Sequence, residues 1–198
     1  MDIIPLIHIY KRKIVNSNYN DFENFKILLQ KYKDEYIYIF DHDGINKNRP
    51  NLCIFQKLSK NHDLWVDSGP RVFGDIVDSI VAGASKITVR KNLVINADTL
   101  SINEILENEI YMNIDKKFFQ SSNNDLIKKN VNGFVILNDE KTSNYDFKDN
   151  SDIRNIVNNN NSYAYLSRKE DIHYINKFDF KGLLVDIEKI SEFERIGI

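Results

Sequence analysis

Short apolar runs alternate with amphipathic stretches along almost the whole chain. Eight runs, most of them four to eight residues long, predict strands at residues 3–10, 36–41, 64–67, 86–89, 110–114, 133–138, 162–166 and 182–185. Continuous apolar runs of this length are typical of parallel strands that are buried on both faces. Apolar residues at helical spacing predict helices at 22–32, 72–82 and 101–107, and with weaker periodicity at 169–176 and 187–194.

This alternation continues without a break in composition over the 198 residues of the chain. It predicts an α/β fold, a compact single-domain (βα)8 barrel over residues 1–198 with shortened loops and helices, because such barrels begin near about 200 residues. On pattern alone, an open doubly wound sheet is the alternative. Polar stretches predict surface loops at 120–125, 141–150 and 158–161, and Trp65 is expected to pack between the barrel and its helices.

The charge balance limits the classes of partner. The chain carries 27 basic and 29 acidic side chains, so it has no overall field that would attract nucleic acid or an anionic membrane. A lone Cys53 excludes a disulfide framework and a cysteine-based zinc site. No apolar run reaches the roughly 18 residues of a membrane span, and the basic residues follow the first apolar run instead of preceding it, the reverse of a secretory signal. We therefore expect a cytoplasmic protein without a cofactor or a bound metal.

Polar and ionisable residues follow almost every predicted strand. In a barrel of this type, the residues that carry chemistry lie at the carboxyl ends of the strands, so these side chains are expected on one rim. Their convergence favours a pocket for an anion or a phosphate. The candidates are His8, Asp41, Asp67, Ser68, Arg71, Arg90, Lys91, Asp115, Ser167 and Arg168, with Asp186 after the last strand.

Five segments carry a resemblance to a known family. They are IPLIHIYKRKIV, FDHDGI, LWVDSGPRVFGDIVDSIVAGASKITVRKN, YMNID and SRKEDIHYI. The first aligns without a gap with Pro-Ala-Ile-Asp-Leu-x-x-Gly-x-Val-Val, and the others resemble later strand-end motifs, of the histidine-biosynthesis phosphoribosyl isomerases and their cyclase relatives. The resemblance covers residues 1–15 and 36–115 best. It implies a (βα)8 barrel and a phosphorylated ligand of the ribose type.

The sequence departs from the family at the residues that carry its chemistry. The first catalytic aspartate of the family falls at His8, whereas the second is retained as Asp115. Glycines that let backbone N–H groups approach a phosphate are replaced by side chains, among them Asp67, Arg90 and Asp186. The resemblance therefore implies the family's scaffold with a rewritten active site.

These departures suggest roles for individual residues. If the family geometry holds, His8 and Asp115 face each other across the mouth and act as an acid–base pair; alternatively, His8 fills the top of the barrel. Arg90 and Lys91 replace the glycine loop as side-chain phosphate ligands, or they form a solvated pair. Asp41 is expected to form hydrogen bonds inside the barrel. A metal site at Asp41-His42-Asp43 is disfavoured, because the middle residue of a strand end points away from its neighbours.

Two functions remain open. The first is a diverged barrel that binds a phosphorylated metabolite and catalyses a proton-transfer isomerisation or a related lyase step with His8 and Asp115. The histidine-pathway isomerisation itself is not expected, because that reaction uses one carboxylate on the first strand and one on the fifth. Here the first strand carries His8 instead, and only Asp115 is retained. The alternative is a non-catalytic barrel that serves as a binding or interaction module, with a protein partner.

Overall fold

A computed structural model of the chain describes residues 1–16, 25–32, 35–94, 108–114, 131–137 and 151–195. The predicted helix at 101–107 and the predicted loops at 120–125 and 141–150 lie outside the described residues.

The described residues form nine strands and seven helices. The strands are β1 (Asp2–Tyr10), β2 (Lys13–Val15), β3 (Tyr36–Asp41), β4 (Asp63–Asp67), β5 (Ala84–Arg90), β6 (Glu109–Ile114), β7 (Gly133–Ile136), β8 (Asn161–Leu166) and β9 (Gly182–Asp186). The helices are α1 (Phe25–Lys31), α2 (His42–Lys47), α3 (Leu52–Leu58), α4 (Phe73–Val81), α5 (Ser151–Asn159), α6 (Ile172–Ile175) and α7 (Ile190–Glu194). A 3₁₀ turn at Lys169–Asp171 precedes α6.

Eight of the strands form a closed parallel barrel. The order is β1-β3-β4-β5-β6-β7-β8-β9, and β9 pairs again with β1, with Leu6 opposite Asp186. This closure excludes the open sheet. All eight predicted strands are confirmed to within two residues at each end, and the architecture is that of a TIM-barrel-like α/β fold with few and short helices.

Strand alternation divides the apolar core into two layers. Residues such as Ile39, Val66 and Ile87 face outward and pack with the helices, whereas a second cluster that includes Tyr38, Tyr111 and Tyr163 fills the barrel. Trp65 belongs to this inner cluster, 4.3 Å from the ring of Tyr111 and 4.8 Å from that of Tyr163, so the expectation that it packs between barrel and helices is wrong. Large aromatic side chains thus close the barrel beneath its upper rim.

Helices α2 and α5 and strand β2 were not predicted. Helix α2 follows β3 directly, and the Asp41 carboxylate caps it by accepting hydrogen bonds from the N–H groups of Asp43 and Gly44. A side chain at Gly44 would place its Cβ 2.4 Å from the Ser68 carbonyl oxygen, so glycine allows α2 to pack against the end of β4. Residues 158–161, predicted as a loop, instead end α5 at Asn159 and begin β8 at Asn161, with Asn160 between the two elements.

Strand β2 folds back on β1 as an antiparallel hairpin whose loop is Lys11-Arg12. Tyr10 pairs with Lys13 across the loop, and both loop residues have positive φ, 50° for Lys11 and 61° for Arg12. Such a two-residue loop matches a type I′ turn, which prefers Asn-Gly. A left-handed conformation costs about 1–2 kcal/mol for a residue with a long side chain. The hairpin therefore holds two strained cationic residues beside the end of β1.

Candidate acid–base site at the barrel mouth

The inward-facing positions at the carboxyl ends of the strands form a buried polar cluster. His8 on β1, Asp67 on β4, Arg90 on β5 and Asp186 on β9 are each less than 10% exposed. Each lies one or two pleats above the aromatic layer of the barrel, because inward positions repeat every second residue. The cluster therefore occupies the mouth, where barrels of this architecture carry their chemistry.

A chain of hydrogen bonds joins three of the buried side chains. His8 Nε2 lies 3.0 Å from Asp186 Oδ1, and His8 Nδ1 lies 3.0 Å from His42 Nε2. The two imidazoles also stack, with ring centroids 5.2 Å apart and an interplanar angle of 25°. Because β1 and β9 are neighbours only in a closed barrel, this carboxylate–imidazole–imidazole chain depends on closure.

Asp186 is held as a carboxylate by three donors. Tyr165 Oη lies 3.1 Å from Oδ2, and Lys189 Nζ donates to the same oxygen at 3.0 Å, in addition to the contact with His8. Burial alone would raise the pKa of Asp186, but the hydrogen bond from His8, together with the hydrogen bond and charge of Lys189, holds the pKa below its ordinary value. The carboxyl group is thus ionised at neutral pH although its side chain is fully buried.

The ionised carboxylate fixes where the protons of the imidazoles lie. A carboxylate only accepts hydrogen bonds, so His8 Nε2 carries a hydrogen, and in neutral His8 the Nδ1 atom is the acceptor. His42 then donates from Nε2, which leaves its Nδ1 as the basic nitrogen of the pair. If His42 gains a proton at Nδ1 and passes its Nε2 proton to His8, the positive charge comes to rest beside Asp186.

His42 itself is a poor site for a resident charge. Burial, and then the electrostatic effects of the neighbouring His8 and Arg90, lower its pKa from 6.5 to about 4, against the opposing effect of Asp43. His42 is therefore neutral at pH 7. A neutral imidazole with a lowered pKa is a weak base by itself, so His42 could act as a general base only by relaying the proton to the carboxylate-bound His8.

A buried ion pair forms the other half of the mouth. Arg90 Nη2 donates to Asp67 Oδ2 at 2.8 Å, and its Nε atom lies 3.1 Å from both oxygens of the same carboxylate. The guanidinium carbon lies 5.0 Å from the centroid of the Phe40 ring. Tyr38 Oη, 3.4 Å from Asp67 and 3.1 Å from Thr88, connects this pair to the aromatic layer below.

Three predicted ligand residues instead stabilise the loops that surround the mouth. Asp41 lies on the outward face and accepts hydrogen bonds from Asn51 as well as from the start of α2, so the expectation that it bonds inside the barrel is wrong. Ser68 Oγ lies 3.3 Å from Ser79 on α4. Arg71 donates to Asn48 at 2.6 Å and to the Ile45 carbonyl at 3.0 Å, which ties α2 to the loop after β4.

The remaining candidates are dispersed. Lys91 is half-buried in the turn after Arg90, Arg168 is exposed and forms a salt bridge with Asp171 at 3.0 Å, and the exposed Ser167 accepts a bond from Lys189 through its carbonyl. Asp115, the predicted partner of His8, lies outside the described residues. His8 is therefore the predicted catalytic residue that the structure places within the buried cluster.

Sequence reasoning missed His42 and Asp186 as partners of His8. The sequence analysis treated Asp41-His42-Asp43 as a strand end, whereas β3 ends at Asp41 and His42 is the first residue of α2, from which its ring reaches His8. For Asp186 the sequence did carry a signal, because in a closed barrel the carboxyl end of the last strand lies beside the carboxyl end of the first. Lys189, one helical turn after Asp186, supplies the third donor.

Comparisons with known proteins do not assign the chain. No protein-family model matches it, and no curated protein matches its sequence. Within the described ranges, no three His, Cys, Asp or Glu side chains are grouped so that they could hold a metal ion. In that same part of the chain, no helix is both long enough and apolar enough to cross a membrane.

Proposed function

We propose that this chain is a diverged barrel of the phosphoribosyl isomerase type that binds a small phosphorylated sugar at its mouth and moves a proton on it. The observation that carries the proposal is the hydrogen-bond chain from Asp186 through His8 to His42, with both contacts at 3.0 Å. The reaction class is aldose–ketose isomerisation or a related lyase step, in which a proton is removed beside a carbonyl.

Two departures from the family's sequence support one another. The catalytic aspartate of the family is replaced by His8, and a glycine on the last strand is replaced by Asp186, the residue that binds His8. A lone histidine at the mouth would be a weak argument, because it could simply fill space. A histidine whose ring is oriented by a new carboxylate and bonded to a second imidazole has the components of an acid–base relay.

The relay provides a route for one proton. His42 would accept the proton of the substrate at Nδ1 while its Nε2 proton moves to His8 Nδ1, so that the new charge is stabilised by Asp186. Return along the same path would deliver the proton to the neighbouring carbon. Asp115 remains a proposed second acid or base on the facing strand, as the resemblance implies.

Solvent exchange tests the proposal without a known substrate. The protein is incubated in D2O with ribose 5-phosphate, ribulose 5-phosphate and other three- to six-carbon sugar phosphates, and loss of the proton beside the carbonyl is followed by proton NMR. We expect exchange with at least one sugar phosphate, reduced about 10²–10⁴-fold in His42→Gln. His62→Gln is the control, since His62 contacts the Tyr32 carbonyl away from the mouth. Exchange that is absent, or undiminished in His42→Gln and His8→Gln, would contradict the proposal.

The second candidate is a non-catalytic binding module. It is favoured by the pairing of the mouth's cations with carboxylates, Arg90 with Asp67 and Lys189 with Asp186, which occupies groups that a phosphate would otherwise use. On this alternative, sugar phosphates would neither bind nor exchange protons, and His8→Gln would alter stability alone.

A further inference from the structure

The hairpin between β1 and β2 carries cations in a conformation that favours other residues. Lys11 and Arg12 occupy both left-handed positions of the loop, where Asn-Gly would fit without strain. The loop is held in place by the β1–β2 pairing and by the Arg12 N–H, which donates to Asp43 Oδ2 at 3.0 Å. Strain that persists in a well-held loop with exposed side chains points to a role for those side chains.

Two more cationic residues, Lys47 and Arg49, lie close to Asp43 in the fold. Lys47 Nζ lies 3.5 Å from Asp43 Oδ1, and Arg49 contacts Asp43 through the backbone, its N–H donating to the Asp43 carbonyl at 3.3 Å. Lys11, Arg12, Lys47 and Arg49 are all exposed. Among the described residues, Asp43 forms a salt bridge with Lys47, and no salt bridge involves Lys11, Arg12 or Arg49. The hairpin and the end of α2 therefore present four exposed cationic residues, although the chain as a whole is nearly neutral.

Tyr10 connects this basic cluster to the mouth. The ammonium groups of Lys11 and Lys47 lie 5.1 Å and 5.8 Å from the centroid of the Tyr10 ring. The same ring makes an edge contact with His42, with centroids 6.2 Å apart. A ligand at the hairpin thus lies one aromatic ring away from the relay.

We infer that Lys11 and Arg12, with Lys47 and Arg49, form the phosphate-binding rim of this barrel and hold the phosphate of a ligand whose carbon skeleton lies over His42. The inference rests on the proposed function, because it deepens the ligand class of the same mouth. It places the phosphate at the hairpin after β1 and not at Arg90 and Lys91, at the end of β5. Guanidinium and ammonium groups bind phosphate as a fork and a point charge, so the hairpin supplies through side chains what glycine loops supply through backbone.

Substitutions in the turn test the inference without destabilising the hairpin. Lys11→Asn with Arg12→Gly creates the preferred type I′ loop, so it removes two charges and is expected to preserve or raise stability. The control is Lys57→Gln with Lys60→Gln, two exposed lysines at the opposite end of the barrel, which changes the net charge equally. Inorganic phosphate and ribose 5-phosphate are titrated into each protein, and NMR follows the amides of residues 11–13 and the imidazoles of His8 and His42.

The expected result is binding that perturbs both regions in the wild type and the control and is weakened about tenfold or more in the hairpin variant. Undiminished imidazole shifts in the hairpin variant would overturn the rim and leave the mouth function standing. Hairpin shifts that the variant abolishes, without any imidazole response to ribose 5-phosphate, would support the anion site and contradict the mouth function. No response in either region of the wild type would overturn both.

Discussion

His8 and Asp186 are separated by 178 positions in sequence, and their side chains meet at 3.0 Å where the first and last strands of the barrel close. Neither residue has a comparable partner on its own strand. The pair exists because closure sets β9 beside β1, and it orients the imidazole that contacts His42. The orientation of His8, and through it the contact with His42, therefore depends on the hydrogen bond between His8 and Asp186.

Replacing the carboxylate should disable the relay. In Asp186→Asn we expect a loss of about 1–3 kcal/mol in the free energy of unfolding at pH 7, because buried donors lose a charged acceptor. The ¹⁵N shifts of His8 should report a changed tautomer, which a purely structural role would not produce. Proton exchange on the sugar phosphate should fall with it.

The sign of the pH dependence follows from the pKa of Asp186. Its folded pKa is lowered, so its contribution to stability is present above the unfolded pKa of about 3.9 and is lost as the pH falls through the folded value. The stability difference between the wild type and Asp186→Asn should shrink at low pH. The control for this comparison is Asp171→Asn, which changes a carboxylate away from His8. In the spectroscopic experiment, an unchanged ¹⁵N spectrum of His8 in Asp186→Asn would contradict the positioning role of Asp186.

Burial of His42 predicts a second pH effect. Its pKa is about 4 in the folded protein and 6.5 for an unperturbed imidazole, so the unfolded chain binds the extra proton between these pH values. The contribution of neutral His42 to the free energy of unfolding should be fully present above pH 6.5. It should decrease by up to about 3 kcal/mol as the pH falls to 4. Urea unfolding at pH 4.5, 5.5 and 7 measures this, and His42→Gln should lose the dependence. A His42→Gln profile that follows the wild type would show that other groups cause it.

The buried pair of Arg90 and Asp67 should be strongly coupled. Arg90→Leu alone leaves the fully buried Asp67 carboxylate without its main donor, and we expect it to cost about 3–5 kcal/mol. Arg90→Leu combined with Asp67→Leu should cost clearly less than the sum of the two single changes. Urea unfolding of the four proteins gives the coupling, and additive effects would mean that the contact does not determine the local stability.

The histidine-pathway isomerisation should not be supported. The isomerases that the sequence resembles use a carboxylate on the first strand, where this chain has His8, and loss of one member of an acid–base pair costs about 10²–10⁴-fold. The chain should therefore fail to restore growth of a histidine auxotroph that lacks the isomerase. Growth restored by His8→Asp alone would be consistent with this view, whereas growth restored by the wild type would contradict it.

The sequence predicted the barrel well because each strand is signalled locally. Continuous apolar runs identify parallel strands, and 36–41 was predicted with its observed limits. Helix α2 was missed because its sequence, HDGINK, has no apolar periodicity; the Asp41 cap and tight packing at Gly44 stabilise it instead. The hairpin was missed because Lys-Arg is an unusual sequence for its turn.

The site was predicted less well, because strand-end residues identify the rim without showing which way each side chain points. Arg71 was placed in the ligand site, but it donates to the carbonyl groups of Gly44 and Ile45 in α2. Asp186 and His42 depended on contacts between distant segments, which only closure of the barrel provides. Local pattern therefore located the mouth, and long-range pairing determined its chemistry.

The most direct test of the central claim is the protonation of the two imidazoles during ligand binding. In ¹⁵N-labelled protein, we predict that His8 Nε2 carries a hydrogen and that His42 is neutral at pH 7 with its hydrogen on Nε2. Saturation with a sugar phosphate that undergoes exchange should shift the ring resonances of both residues, whereas those of His62 and His173 stay unchanged. His8 and His42 resonances that do not respond to a bound sugar phosphate would contradict the account.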